Sequence, residues 1–446
     1  MNRIILIGII AALAAGAAGA ADLTLTVDEA VELAVSRNLG LQQSGIELRT
    51  KERAKDKAWN VFLPSITATA GASGTGTNRI VGDSGISLAD AGALGVNAGL
   101  NLSLPINIGI GAGIKNLVTD YEAGLLSYED AQAQLERDVR QQFYSLLANE
   151  ENIAIQQANI DLAEKRLEQA RNNFANGLSP ELDVLSAEVT VANLMPAYDG
   201  VVAGYESQML FFKFLIGADR NDELTLVGEL DTELQDFDAE ALINTYMAGR
   251  FDLRGLEKQI DSLEQQKRGI ARNTNTPTLS LGYNYALSGS NSEFDLQAML
   301  PIDAWSDWGD TSTISLTLSW KLDGLIPGSS GDVALKELQD AIDSLEISKR
   351  MAYENAGIEI TNLVNTLDTA RKTIEANTSS VELARRNYEL TEEAYNVGTR
   401  ELLDVESAQN DLLAAQQQLL LAKYDYVAAL LDLQYALNAP LEEFLD

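Results

Sequence analysis

Two hydrophobic periods alternate along the chain. Leu146, Ile153, Ile160, Leu167 and Phe174 recur at every seventh position, and Leu367, Ile374, Val381, Tyr388 and Tyr395 repeat the ladder half a chain length later. A seven-residue ladder specifies helices supercoiled on neighbours. It predicts one helix from about Lys115 to Phe174, roughly 60 residues and about 90 Å at 1.5 Å per residue. Between the knobs stand mostly Ala, Gln, Asn and Glu. The stripe is therefore narrow and wet on both flanks, which suits a hollow wall better than a solid core. In four places the period drops to two. Ile66, Ala68, Ala70 and Ala72 alternate with Ser65, Thr67, Thr69 and Ser73, and Leu94 to Leu104 alternates with Gly, Asn and Ser. Leu279, Leu281, Tyr283, Tyr285 and Leu287 do the same, as do Ile314, Leu316, Leu318, Trp320 and Leu322. These are strands with one apolar and one polar face. At about ten residues they are long enough to cross a bilayer when tilted, although a soluble sandwich alternates in the same way and is commoner.

Shorter helices fill the rest. Thr26 can cap a helix over 26–37, with Glu29 completing a capping box. Leu39 to Phe62 stops before Pro64 and Phe251 to Ala271 before Pro277. Glu181 to Ile216 and Glu401 to Leu437 follow the two long runs, and a kink is expected at Pro196. Residues 218–240, rich in Asp and Glu, read as a connector near the middle of the helical body. The layout falls into two structural repeats, 21–217 and 241–446. The segment Tyr395-Asn-Val-Gly398-Thr-Arg400-Glu-Leu-Leu-Asp404-Val-Glu-Ser407 aligns without a gap on Phe174-Ala-Asn-Gly177-Leu-Ser179-Pro-Glu-Leu-Asp183-Val-Leu-Ser186. That match signals an internal duplication. In each copy a Gly separates two long helical runs, where an antiparallel helix pair turns round.

Charge and chemistry narrow the function. Lys plus Arg is 32 against Asp plus Glu 66, a formal charge of −34, so nucleic acid is no partner. Cys and His are absent, which removes thiol and imidazole catalysis, disulfides and soft-metal sites. Neither a cofactor nor an enzymatic role is expected, although a carboxylate-only sugar hydrolase survives this test. Arg3, the apolar run Ile4 to Ala15 and Ala18-Gly19-Ala20 read as a signal peptide over 1–20, cleaved near Ala20. A transmembrane anchor is the weaker reading. No Cys follows the cut to carry a lipid.

If the strands lie in a membrane, four cannot close on themselves, because the smallest spanning barrels have about 8. Open edges in lipid leave backbone groups unpaired at several kcal/mol each, so several chains would have to share one barrel. Two copies would bring eight strands and three would bring twelve. The carriers of a family likeness are Phe174-x-x-Gly177-x5-Asp183-Val184, Tyr395-x-x-Gly398-Thr399-Arg400-x3-Asp404-Val405 and the boundary Val61-Phe62-Leu63-Pro64. With the duplicated element order, the mature chain resembles the TolC-like outer-membrane efflux (outer-membrane factor) family over nearly its whole length.

The resemblance implies a mainly α fold with a transmembrane β-barrel: a homotrimer whose twelve-stranded barrel, four strands per chain, continues as a long coiled-coil tunnel in the periplasm. It implies an exit duct for a tripartite efflux or type I secretion system in a Gram-negative-type outer membrane. The partners would be outer-membrane lipid, a periplasmic adaptor (membrane fusion protein) and an inner-membrane transporter. Asp183, Tyr395, Arg400 and Asp404 map onto the family's tip gate. Asn176, Gly177, Leu178, Ser179, Val397, Gly398 and Thr399 map onto its adaptor-contact turns. Ser407 stands where some members have a second acid, with Glu406 beside it pointing elsewhere.

Plainer readings stand beside these. The glycines end helices, Asp183 and Asp404 are first-turn acids favourable to a helix dipole, and a lone Arg400 is ordinarily a solvated charge. Gly109-Ile-Gly111-Ala-Gly113-Ile-Lys115 lacks the spacing of a phosphate loop and reads as a strand-to-helix hinge. Trp305, Trp308, Tyr283 and Tyr285 would form an aromatic girdle if a barrel exists. A coiled-coil surface or adhesive protein without a channel is the alternative function.

Overall fold

The structure, a computed structural model, describes residues 22–74, 78–80, 86–88, 94–230, 233–291, 307–322 and 326–440. The expected leader at 1–20 and Trp305 lie outside the described residues. In chain order the elements are β1 (Asp22–Leu25), α1 (Val27–Arg37), α2 (Leu39–Asp56), a 3-10 turn (Ala58–Phe62), β2 (Ser65–Gly74), β3 (Asn78–Ile80), β4 (Ile86–Leu88) and β5 (Leu94–Ile106). Then come α3 (Ile110–Ala175), α4 (Glu181–Ile216), β6 (Glu223–Leu226), α5 (Ala239–Tyr246), a second 3-10 turn (Met247–Gly249) and α6 (Phe251–Asn275). The chain continues with β7 (Thr278–Asn291), β8 (Asp307–Ser319), α7 (Ser330–Asn396) and α8 (Leu402–Leu437).

Most of the chain is helical, and it divides into two compact units. The first holds residues up to 44, 129–250 and 355 onward. Its ladders are buried as the seven-residue period requires: Leu146, Ile160, Leu367, Ile374 and Tyr388 face inward, while Phe174 at a ladder's end is exposed. Phe143 and Phe212 stack edge to face at 6.2 Å in the same core. Asn149 donates to Gln208 at 2.6 Å between α3 and α4. Gln417 donates to Asn152 at 3.2 Å between α8 and α3, and Asn377 to the Gln418 carbonyl at 3.1 Å between α7 and α8. Thr26 and Glu29 form the expected capping box, the Thr26 N–H donating to Glu29 at 2.8 Å.

The second unit, 45–128 and 251–354, carries an antiparallel sheet in the order β2-β5-β7-β8. Directly paired residues share a face, so the register sorts the two faces. One runs through rows such as Ile66–Leu102–Tyr283–Ile314 and Ile106–Leu279–Leu318. The other runs through Ser65–Ser103–Gly282–Ser315 and Thr67–Asn101–Asn284–Thr313, neutral hydroxyls and amides. Among the described residues β2 and β8 each pair on one side only. Trp308 lies across the bare backbone of Gly289, about where a Cβ would stand. Among the described residues no helix is long and apolar enough to cross a membrane.

Several boundaries differ from expectation, α6 among them, which runs past Ala271 to Asn275. The helix expected over Leu39–Phe62 gives way at Asp56, and Ala58–Phe62 winds as a 3-10 turn. Pro64 bars Leu63 from α geometry, and Trp, Asn, Val and Phe are poor helix formers. α3 starts at Ile110 rather than Lys115, because Asn107 accepts from the Ile110 N–H at 3.0 Å and caps it. Gly111 and Gly113 therefore belong to the helix and not to a hinge; the joint is Gly109, where any Cβ would collide with Asn273. β8 runs from Asp307 to Ser319, so Trp320 and Leu322 follow the strand. The stretch read as a connector contains β6, paired in parallel with β1, and the start of α5, capped by Asp238. α4 continues through Pro196 without interruption.

Candidate functional site

The aligned turns lie in the first unit and share one backbone device. After α3, the Gly177 N–H donates to the Phe174 carbonyl at 2.9 Å and the Leu178 N–H to that of Asn173 at 2.8 Å. After α7, the Gly398 N–H donates to Tyr395 and the Thr399 N–H to Ala394, both at 2.9 Å. This paired closure of a helix end needs a left-handed residue, and Gly177 and Gly398 have φ of 68° and 78°. No atom lies within 4 Å of a Cβ at either, so the backbone alone demands glycine. Asn176 donates to the Asn172 carbonyl at 2.8 Å and the Thr399 hydroxyl to that of Ala394 at 2.9 Å. Leu178 and Val397, at the apices, are the exposed apolar tips.

The following helix starts differ. Asp404 reaches back to the Glu401 N–H at 3.4 Å, satisfying a free donor of α8. Its counterpart Asp183 has no such donor, because Pro180 occupies the cap and lacks an N–H. Asp183 bears instead on Tyr395, whose phenol pKa is raised by burial first and by the Asp183 charge second. Tyr395 packs on Ala170, Ala187 and Leu402, contributed by α3, α4 and α8. Of the two mapped acids, Arg400 contacts Asp404 within the chain, at 3.5 Å, and not Asp183. One helical turn separates these two, and Asp183 is on the other hairpin. The Ser179 hydroxyl is buried without a hydrogen-bond partner. Glu406 does face elsewhere, and what it meets is α4: it accepts from Thr190 at 3.0 Å and Ser186 at 3.3 Å.

One cluster was not foreseen. Arg166 on α3, 7 % exposed, donates to Gln409 on α8 and to the Tyr388 hydroxyl on α7. Tyr388 donates to Glu392 at 2.8 Å, and Gln409 donates to the carbonyl and side chain of Asn159, both at 3.3 Å. The Tyr388 pKa is pushed up to about 12 by burial, then by its bond to Glu392, with Arg166 opposing. The signal was present: Asn159 and Arg166 are seven apart, each one step before a ladder residue, so they fall at the seam's edge. Among the described residues no group of three or more acids is placed to hold a metal ion.

Comparison with known proteins bears on the whole chain. A family model described as outer membrane efflux protein matches residues 30–198 and 242–439. The outer membrane protein TolC of Vibrio cholerae is 24% identical over 315 residues, 68% of this chain and 68% of that one. Nodulation protein T of Rhizobium leguminosarum bv. trifolii is 22% identical over 395 residues, 87% of this chain and 80% of that one. The crystal structure of the outer membrane protein VceC of Vibrio cholerae superposes with a TM-score of 0.69 at 16% identity, covering 93% of this chain and 96% of that one. These likenesses show a shared fold.

Proposed function

Because the chain belongs to the outer membrane efflux protein family, we propose that it is the exit duct of a tripartite efflux or type I secretion system. Three copies share one twelve-stranded barrel in the outer membrane, and their helices continue it as a periplasmic tunnel. The carrying observation is the sheet, largely apolar on one face and rich in hydroxyls and amides on the other, apart from Asp310 on the first and Asp307 on the second near the start of β8, with two edges unpaired among the described residues. Such edges are untenable in lipid unless neighbouring copies pair them, and a polar face suits a watery lumen. A coiled-coil fibre needs the helices but has no use for this sheet.

In this reading both hairpin turns, one from each structural repeat, lie at the tunnel tip. Leu178 and Val397, with Asn176, Gly177, Ser179, Gly398 and Thr399, offer the periplasmic adaptor exposed apolar apices on rigid turns. Tyr395, hydrogen-bonded to Asn173, ties the hairpins, and Asp183, Arg400 and Asp404 form the gate's charged part. Cargo would be handed on by the adaptor and an inner-membrane transporter. Detergent-extracted protein should have the mass of a trimer and give discrete conductance steps in a planar bilayer. A water-soluble monomer that forms no channels refutes the reading.

A further inference from the structure

We propose that the rim where helices meet the sheet binds anionic phospholipid headgroups of the periplasmic leaflet, an inference that rests on the sheet spanning the outer membrane. The register brings the start of β2, the end of β5, the start of β7 and the end of β8 together at one end of the sheet. At that end the apolar face continues onto non-strand residues. Trp59 and Phe62 of the first 3-10 turn are 54% and 50% exposed, and Leu63, Ile108 and Trp320 are exposed beside neighbouring strand ends.

Directly behind this apolar rim the chain turns basic, although its formal charge is −34. Residues 265–277 contain Lys267, Arg268 and Arg272 and no acid. Lys57, Lys115 and Arg272, on three of the four chain crossings, are exposed and have no ion-pair partner among the described residues. The segments joining the strands at the opposite end have the reverse balance, Arg79 against Asp83, Asp90, Glu293, Asp295 and Asp303.

Tryptophan beside lysine and arginine is the chemistry of a headgroup layer, the rings at its apolar boundary and the cations among the phosphates. An exposed cation recurs at three of the four crossings, Lys57 beside Trp59 and Lys115 behind the exposed Ile108 among them. In a closed barrel the series would encircle the wall, as a bilayer surface requires and a single protein partner does not. A strongly acidic duct is repelled by an anionic leaflet, and these cations offset that locally. Each should favour anionic lipid by about fivefold at low salt, an effect that fades beyond a Debye length.

The test reconstitutes full-length protein into phosphatidylcholine vesicles with and without phosphatidylglycerol. Wild type should insert several-fold better with phosphatidylglycerol at low salt and equally well at molar salt. Lys57→Gln/Lys115→Gln/Arg272→Gln should lose the preference while keeping wild-type conductance steps. With Trp305→Phe, Trp308→Phe and Trp320→Phe, the remaining Trp59 should be quenched by lipids brominated near the headgroup. Equal insertion in both lipids, a preference that survives in the triple variant, or an unquenched Trp59 in conducting vesicles overturns the proposal. Absence of channels in every lipid overturns the spanning sheet, and this inference with it.

Discussion

Arg166→Leu tests the buried polar cluster. The guanidinium supplies donors to Gln409 and Tyr388 and lies 3.9 Å from Glu392. Without it the Gln409 carbonyl, on a residue 5 % exposed, has no donor, a loss of about 1–3 kcal/mol. Tyr388 keeps Glu392 as an acceptor at 2.8 Å but loses the cation 5.0 Å from its ring, about 0.5–1 kcal/mol more. Glu392 is partly solvated and adds little. Leucine recovers some apolar burial, which leaves a net loss of about 1–3 kcal/mol. Because the cluster joins α3, α7 and α8 at one level, the loss should appear as local opening. Hydrogen exchange in peptides spanning 155–170, 385–396 and 405–415 should accelerate roughly 5- to 160-fold, with α1 and the β1–β6 pair unchanged. Arg166→Leu combined with Gln409→Leu should lose less than the sum of the single variants, since each removes the other's orphan. A change below about fivefold, or an equal acceleration throughout the unit, refutes the assignment of energy to these bonds.

Three further outcomes follow from the same geometry. Gly177→Ala and Gly398→Ala should each cost about 1–2 kcal/mol through the left-handed backbone alone, read as faster exchange confined to that turn; Gly217→Ala should cost more, because at φ 69° its Cβ would also lie 2.6 Å from Arg37. Arg400→Ala removes an exposed pair spaced at 3.5 Å and should change stability by less than about 0.5 kcal/mol, yet raise single-channel conductance or antibiotic leakage; unchanged conductance counts against the gate. The fold holds Tyr388 protonated, its pKa at about 12 against about 10 unfolded, so this stabilisation is complete below pH 10 and is lost as pH rises toward 12. After allowance for partial solvent access it amounts to about 1–2 kcal/mol, and Tyr388→Phe should flatten the melting curve's decline over that window.

Elements long enough to repeat their own period were legible in the sequence. The seven-residue ladder predicted burial of Leu146, Ile160, Leu367 and Ile374, and alternation assigned the faces of β2, β5, β7 and β8. β1 and β6 have four residues each, too few for alternation to emerge, and they exist by pairing with each other across the chain. The start of α3 is hidden in a glycine-rich stretch that reads as a hinge, and the cap at Asn107 sets it. At the turns, glycine chemistry and apolar apices could be read locally. The polar partners could not, since Arg400 had two acids within plausible reach and only geometry separates Asp404 from Asp183. Arg166 was overlooked because an arginine defaults to the surface when read singly.

The unequal turns bear on how a gate could hold and release. Arg400 and Asp404 are 62% and 44% exposed at 3.5 Å, an i,i+4 contact of about 0.3–0.5 kcal/mol. Asp404 is also committed to the Glu401 N–H, whereas Pro180 leaves Asp183 no cap to satisfy. An acceptor without a local donor is the better partner for a guanidinium brought to it, because a charge-assisted bond of about 1.5–3 kcal/mol would replace a much weaker one. In the proposed trimer, Arg400 of one copy would exchange Asp404 for the Asp183 of a neighbour at little internal loss. Each exchange adds an inter-chain link, and symmetry multiplies it by three. Reversal restores a turn that is already closed by its own backbone bonds, so opening the tip need not unfold it. An adaptor that engages the turns has only to favour the self-paired state by a few kcal/mol to release the lock.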